Sequence, residues 1–390
     1  MRRTLSIVVA AVLAVAVVAT IVFSVGGSSK KKLVVVRGVI GSEKKPFFDD
    51  PRVKSAFAKH GFEVQVDTAG SRAIATTVDL SKYDFAFPAG TPQAQKIRTD
   101  HHISASYVPF FTPMAIATFT DIAQILQKAG IAHDHGGYWT LDIKGYLDLV
   151  ARGVRWNQLP GNTTFPSTKK VLITSTDITT SNSAAMYASI ASYVANGNGV
   201  VDSPAQVAGI VKAVSPLFLE QGYTEQSTEA PFEDYLSIGE GKSPMVMIYE
   251  AQFVARAAAH DGSVLPNMVL MYPDPGLLSK HTLVPLTANG DAVGRLLTDD
   301  PTLQNLAVEN GFRTGKTGAF TSFVQQNRVS VAPQLVNVID PPTYDNLEAL
   351  ITRINDALHA TLGPRSSPPA TTESSTTPVS NAGPSGSRNP

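Results

Sequence analysis

Apolar and polar positions divide the chain into three regimes. From Leu5 to Val25 no residue is charged, and only Ser6, Thr20 and Ser24 break a run made mostly of Val, Ala, Ile and Leu. About 20 apolar residues span a hydrocarbon core of roughly 30 Å, so the run predicts one transmembrane helix. Arg2 and Arg3 ahead of it favour a cytoplasmic N-terminus, while Lys30, Lys31 and Lys32 behind it argue the other way. The first pair sits where an export signal begins, so the expected orientation is N-terminus in, folded domain out. A cleaved secretory signal is the competing reading. Its apolar core would be about 7 to 15 residues long with a small-residue cleavage site, and Ser24-Val25-Gly26 is a poor one.

The middle of the chain alternates short β-branched runs with amphipathic segments. Val34 to Ile40 reads as a strand buried on both faces. Asp50-Pro51 reads as an N-cap with Pro at the first helical position, and the helix stops at Gly61. Phe62 to Val66 is a second strand, Gly70-Ser71-Arg72 turns into a short helix, and Phe85-Ala86-Phe87-Pro88 is a third strand. This succession predicts a parallel α/β sheet. Further strands are expected at 105–111, 114–119, 171–174, 245–249, 268–273 and 283–286. Helices are expected at 121–129, 141–150, 184–195, 205–214, 230–238, 250–259, 292–297, 301–309 and 344–362.

The third regime, residues 363–390, is Ser, Thr, Pro, Asn and Gly with almost no apolar residue. It has too little to bury and is expected to be disordered. About 330 residues remain to fold, more than one hydrophobic core usually serves, so two lobes are expected. There is no Cys, which excludes disulfides, lipidation through Cys, thiolate–zinc sites and thiol nucleophiles. Lys and Arg total 32, as do Asp and Glu; residues 1–32 hold five of the bases and no acid, so the remainder carries 27 against 32, or −5. A mildly acidic domain is a poor partner for nucleic acid.

In this order the elements resemble type 2 extracytoplasmic solute-binding proteins, the two-lobed receptors that feed ABC transporters. The pieces that carry the resemblance are Gly41-Ser42 after the first strand, Ala69-Gly70-Ser71-Arg72-Ala73-Ile74 after the second and Tyr83 to Ala89 around the third. Tyr249-Glu250-Ala251-Gln252 and the stretches 272–276, 303–304 and 310–313 complete it. The resemblance covers about residues 33–362. It implies lobe 1 at 33–113 plus 270–362, lobe 2 at 114–269, two hinge crossings between them, and a 1–32 anchor and linker ahead. The implied function is binding of a small-molecule ligand (an anion, a carboxylate or a sugar) without catalysis. It also implies an ABC permease as receiver, no cofactor and no metal. The missing lipid-anchoring Cys and the tail after Leu362 depart from the pattern, and leave open an envelope interaction protein that reads a protein or wall partner with the same fold.

Strand-to-helix turns present backbone N–H groups and hydroxyls to a ligand oxygen. On that ground Ser42, Ser71, Arg72, Ala89, Thr176, Thr180 and Tyr249 are the candidate ligand-binding residues, against the plainer reading that the Ser and Thr cap their own helices. Arg37, inside the first strand, is expected to need a structural ion-pair partner. His101, His102, His133 and His135 read as surface-loop histidines. Ser42-Glu43-Lys44-Lys45 and Lys316-Thr317-Gly318 imitate two motifs of penicillin-interacting enzymes, but Pro46 disfavours helix at Lys45 and no matching Ser-x-Asn lies between them. A hydrolase with an unrecognised site is the third reading.

Overall fold

The computed structural model describes residues 32–362, apart from 223, 224 and 317. The expected membrane helix and the Ser/Thr/Pro-rich tail lie outside them. Among the described residues no helix is long and apolar enough to cross a membrane. The strands are β1 (Val34–Ile40), β2 (Phe62–Thr68), β3 (Phe85–Phe87), β4 (Tyr107–Phe119), β5 (Ala132–Asp134), β6 (Trp139–Asp142), β7 (Met245–Tyr249), β8 (Met268–Asp274), β9 (Gly276–Pro285), β10 (Arg313–Thr314) and β11 (Val338–Ile339). They hydrogen-bond in the order β2-β1-β3-β9-β4-β8-β6-β5, with β7 and β10 on β4 and β11 on β9.

The two lobes meet inside β4. Residues 107–113 pair with β9, and residues 114–119 pair with β7 and β8. The two strands expected at 105–111 and 114–119 are therefore one. The second crossing follows β8 directly, where β9 begins at Gly276 and runs back along β4 to pair with β3. Parallel pairing of β1 with β2 and β3 agrees with the strand–helix–strand reading. The expected strand at 171–174 shrinks to one bridge between Thr174 and Val246; on its other side the Ile173 N–H goes to the buried Tyr146 hydroxyl at 3.0 Å and the Val171 N–H to the Val154 carbonyl.

Alternation along β1 sends Val36 and Ile40 into one core with Phe47, Phe57, Phe85, Phe110 and Phe312, and Val39 into another with Ile74, Ile97 and Val284. Together these cover the two faces of the lobe 1 sheet. The third core belongs to lobe 2 and runs from Met114 to Leu277, then resumes with Phe320, Val324, Ile339 and the terminal helix Tyr344–Leu362. β8 pairs with β4 and β6 and so belongs to lobe 2. Leu347, Leu350, Ile351 and Ile354 recur at helical spacing and bury a stripe in the lobe 2 core, with the helix lying against helix Pro204–Val214. Lobe 1 keeps only the stretch from β9 to β10 of the C-terminal third.

Arg37 also differs from expectation. β1 is exposed at Val34, Val35 and Arg37 and buried at Val36 and from Gly38 onward. The guanidinium therefore reaches solvent and needs no buried partner.

Candidate functional site

The loops after β1, β2 and β3 of lobe 1 meet the 174–183 segment and the end of β7 of lobe 2. Gly70 and Gly90 let them meet closely. Their backbones are ordinary extended conformations, φ −60° and −118°, so neither glycine is there for left-handed freedom. A methyl on Gly70 would lie 2.6 Å from the Thr180 carbonyl oxygen, and one on Gly90 would lie 2.6 Å from Asn182 Oδ1 and 2.3 Å from Gln93 Oε1. Absence of a side chain is what allows the lobes to touch.

The seven candidate residues fall at or around this junction in different states. Buried Ser71 accepts the Ala89 N–H at 2.9 Å. The Ala89 carbonyl accepts the Ser279 hydroxyl at 2.6 Å, so the backbone of Ala89 is satisfied within lobe 1. Arg72 is engaged twice, by the Glu348 carboxylate on the terminal helix and by the Thr179 carbonyl at 3.0 Å. Thr176 sits one layer deeper and shares its hydroxyl with Ser183 at 2.9 Å. Thr180 Oγ1 is buried with no partner among the described residues. The Tyr249 hydroxyl accepts from Asn182 Nδ2 at 3.0 Å; burial first, and the nearby Glu43 charge second, push its pKa up, so it stays protonated. Ser42 is exposed, at the first turn after β1. Ser42 and Tyr249 line an open interlobe cavity of about 310 Å³, whose wall continues through Ala251, Gln252 and Ala255 of helix Glu250–Ala258.

Beneath that cavity lies a cluster that the sequence reading did not single out. Glu43 Oε1 forms an ion pair with Lys44 Nζ, and Lys44 Nζ lies 3.1 Å from His281 Nδ1 and 4.8 Å from the centre of the Phe87 ring. Lys44 and His281 are completely buried and the Glu43 side chain is 9 % exposed. Burial alone would raise the Glu43 carboxyl, but the Lys44 ammonium beside it holds it well below the usual carboxylate range. Burial lowers Lys44 more than Glu43 restores it. Burial and the Lys44 charge together push His281 down to about 4, so its ring is neutral near pH 7. An ammonium can only donate, so Nδ1 accepts from Lys44 and the ring proton sits on Nε2, which has no partner among the described residues. Ser279 and His281, at alternate positions of β9 and so on one face of it, were the available signal.

The imitation of Ser-x-x-Lys dissolves in the structure, though for a different reason than expected. Lys45 is helical despite preceding Pro46 (φ −55°, ψ −45°), and its ammonium turns outward to Asp49 at 2.5 Å. Thr317 of the second motif lies outside the described residues. Next to the cleft, Glu250 is held by Arg313 through two 2.7 Å bonds and by the Tyr272 hydroxyl at 2.6 Å, which ties β10 to the start of helix Glu250–Ala258. His101, His102, His133 and His135 are exposed, and among the described residues no three His, Asp or Glu side chains gather as metal ligands.

Two α/β lobes, two crossing strands and a polar junction between them define the type 2 periplasmic solute-binding fold, and solved structures of such proteins superpose on the chain. Iron-bound HitA from Pseudomonas aeruginosa matches with a TM-score of 0.52 at 12% identity, over 83% of this chain and 99% of that one. A periplasmic thiamin binding protein gives 0.51 at 12% identity, over 84% and 96%. Apo ferric ion-binding protein A from Pasteurella haemolytica gives 0.50 at 12% identity, over 83% and 95%. At such identities the likeness is one of fold. No protein-family model matches the chain, and no curated protein does.

Proposed function

We propose that this chain is an extracellular receptor, tethered by residues 5–25, that closes two lobes over a small polar solute and performs no chemistry on it. The observation that carries this reading is the interlobe junction. Two side-chain-free contacts, Gly70 on Thr180 and Gly90 on Asn182, allow close approach on one side, and a cavity of about 310 Å³ stays open between Ser42 and Tyr249 on the other. Hinge closure around a bound solute is the motion this fold supports. Ser42, Glu43, Thr180, Asn182 and Tyr249 are the residues we assign to the solute. Ser71 and Ala89 hold the lobe 1 wall in shape, Thr176 supports it from lobe 2, and Arg72 works on closure. Two of the solved structures are named as binding proteins, for thiamin and for ferric ion, which supports solute binding, and an ABC permease is the receiver we assign to the bound state.

A thermal-shift screen of the full chain in detergent against oxyanions, amino acids, sugars and amines tests the reading. A stabilising compound that also shrinks the radius of gyration supports it. A chain that binds nothing in the screen, or binds without closing, would refute it. The tether has its own test: the protein should stay with membranes after a high-salt wash, and a released form would sink that part.

A further inference from the structure

Building on the receptor reading, we infer that the solute is a small organic cation rather than an oxyanion or a metal ion. The charged side chains lining the cavity are Glu43, Glu229, Asp261 and Arg256, three acids and one base. Arg256 is already engaged by Glu233 and lies 3.8 Å from Asp261, so no free guanidinium is left to receive an anion.

Glu43 makes this more than an acidic rim. Its side chain is nine-tenths buried at the cavity wall, and Oε1 is held by Lys44 with His281 at 3.4 Å. Oε2 is the oxygen left over: no hydrogen bond reaches it among the described residues. A carboxylate oxygen that faces an open cavity without a protein donor is free to accept a hydrogen bond from the ligand. The remaining wall suits the apolar body of an amine, with Phe232, Phe312, Ala251 and Ala255 in it, and aromatic faces attract cations.

The same cluster argues against a metal. Between Glu43 Oε1 and His281 Nδ1, where a metal ion would bridge a carboxylate and an imidazole, the Lys44 ammonium already sits. Toward the Gly90 contact, the buried amide oxygens of Asn182 and Gln93 also lack partners among the described residues. The Ser279 proton goes to the Ala89 carbonyl and Asn182 Nδ2 goes to Tyr249, which leaves Asn182 Oδ1 as an acceptor. Carboxylate and amide oxygens alike therefore accept.

Calorimetry on the full chain in detergent tests this with choline, its neutral isostere 3,3-dimethyl-1-butanol, putrescine, sulfate, phosphate and ferric citrate. Choline or putrescine should bind at least about tenfold more tightly than the neutral isostere, as expected when a buried carboxylate is matched by a charge. Glu43→Gln should abolish that preference. Because this change leaves Lys44 without its partner, Glu229→Gln is the second variant; its effect should be a several-fold loss at low salt that fades at high salt. Binding of sulfate, phosphate or iron without binding of either amine would overturn the inference and leave the receptor reading standing. Binding of nothing in this panel or in the wider screen would overturn both.

Discussion

Arg72 of lobe 1 clasps Glu348 of the terminal helix, with Nε 2.9 and 2.7 Å from the two carboxylate oxygens and Nη2 2.6 Å from Oε2. That helix is rooted in the lobe 2 core, so the pair crosses the cleft. Lys96 of lobe 1 repeats the crossing by lying 5.6 Å over the Tyr344 ring. Arg72→Ala should shift the ligand-free chain toward an open form, read as a larger radius of gyration in X-ray scattering. Since the pair is partly exposed, the loss in global stability should stay within about 1 kcal/mol. An unchanged radius would show that the clasp does not govern opening.

Gly70→Ala is the sharper probe of closure. The backbone there accepts alanine without strain, and the change should if anything stabilise each lobe slightly through the unfolded chain. Only closure places the methyl against Thr180. Solute affinity should fall about tenfold or more, on the scale of a buried steric clash, and the ligand-free radius of gyration should rise as it does in Arg72→Ala. Full affinity in this variant would mean that binding does not need the observed closed junction.

Lys44→Met keeps the volume and removes the charge. It leaves Glu43 buried without its ammonium, a change that costs about 3–5 kcal/mol when a buried pair is broken on one side. The double variant Glu43→Gln, Lys44→Met should recover a large part of that loss in urea unfolding. Failure of the double variant to recover would mean that Lys44 contributes by packing rather than by pairing.

His281 makes stability depend on acidity. Its folded pKa of about 4 lies below the ordinary 6.5, so the fold favours the neutral ring. The full stabilisation is present above pH 6.5 and is lost as pH falls toward 4. A difference of this size is worth roughly 3 kcal/mol at most. Glu43, also depressed, acts in the same direction below its ordinary value of 4.5. The urea midpoint should drop between pH 7 and pH 4.5, and His281→Phe should flatten that drop. Equal slopes in both proteins would remove His281 as the cause.

Local chemistry made much of the fold legible. Asp50 caps its helix by accepting the Arg52 N–H, as Asp-Pro announces, and Pro301–Glu309 and Tyr344–Leu362 begin and end where their apolar spacing stops. What could not be read locally depended on distant partners. Nothing near Val171 says that Tyr146 will take its neighbour's N–H, and nothing near Lys44 says that His281, 237 positions on, will bury it. The terminal helix shows an apolar stripe in its sequence, but not which lobe the stripe covers. The candidate site divides the same way. Ser71, Ala89 and Tyr249 were nominated because turns at strand ends converge in such sheets, while Glu43 was not, because its company is assembled only in three dimensions.

The position of β9 has a consequence for how the molecule comes into being. It lies between β3 and β4, although both precede it by more than 150 residues. Until Gly276–Pro285 has been synthesised, β3 and β4 have no common neighbour, and the centre of the lobe 1 sheet is a gap with two raw edges. No N-terminal fragment that stops short of β9 contains a finished lobe 1, and lobe 2 in turn waits for Leu347 to Ile354. The chain therefore has no early point at which one lobe stands finished: lobe 1 waits for β9 and β10, and lobe 2 for the helix that follows them.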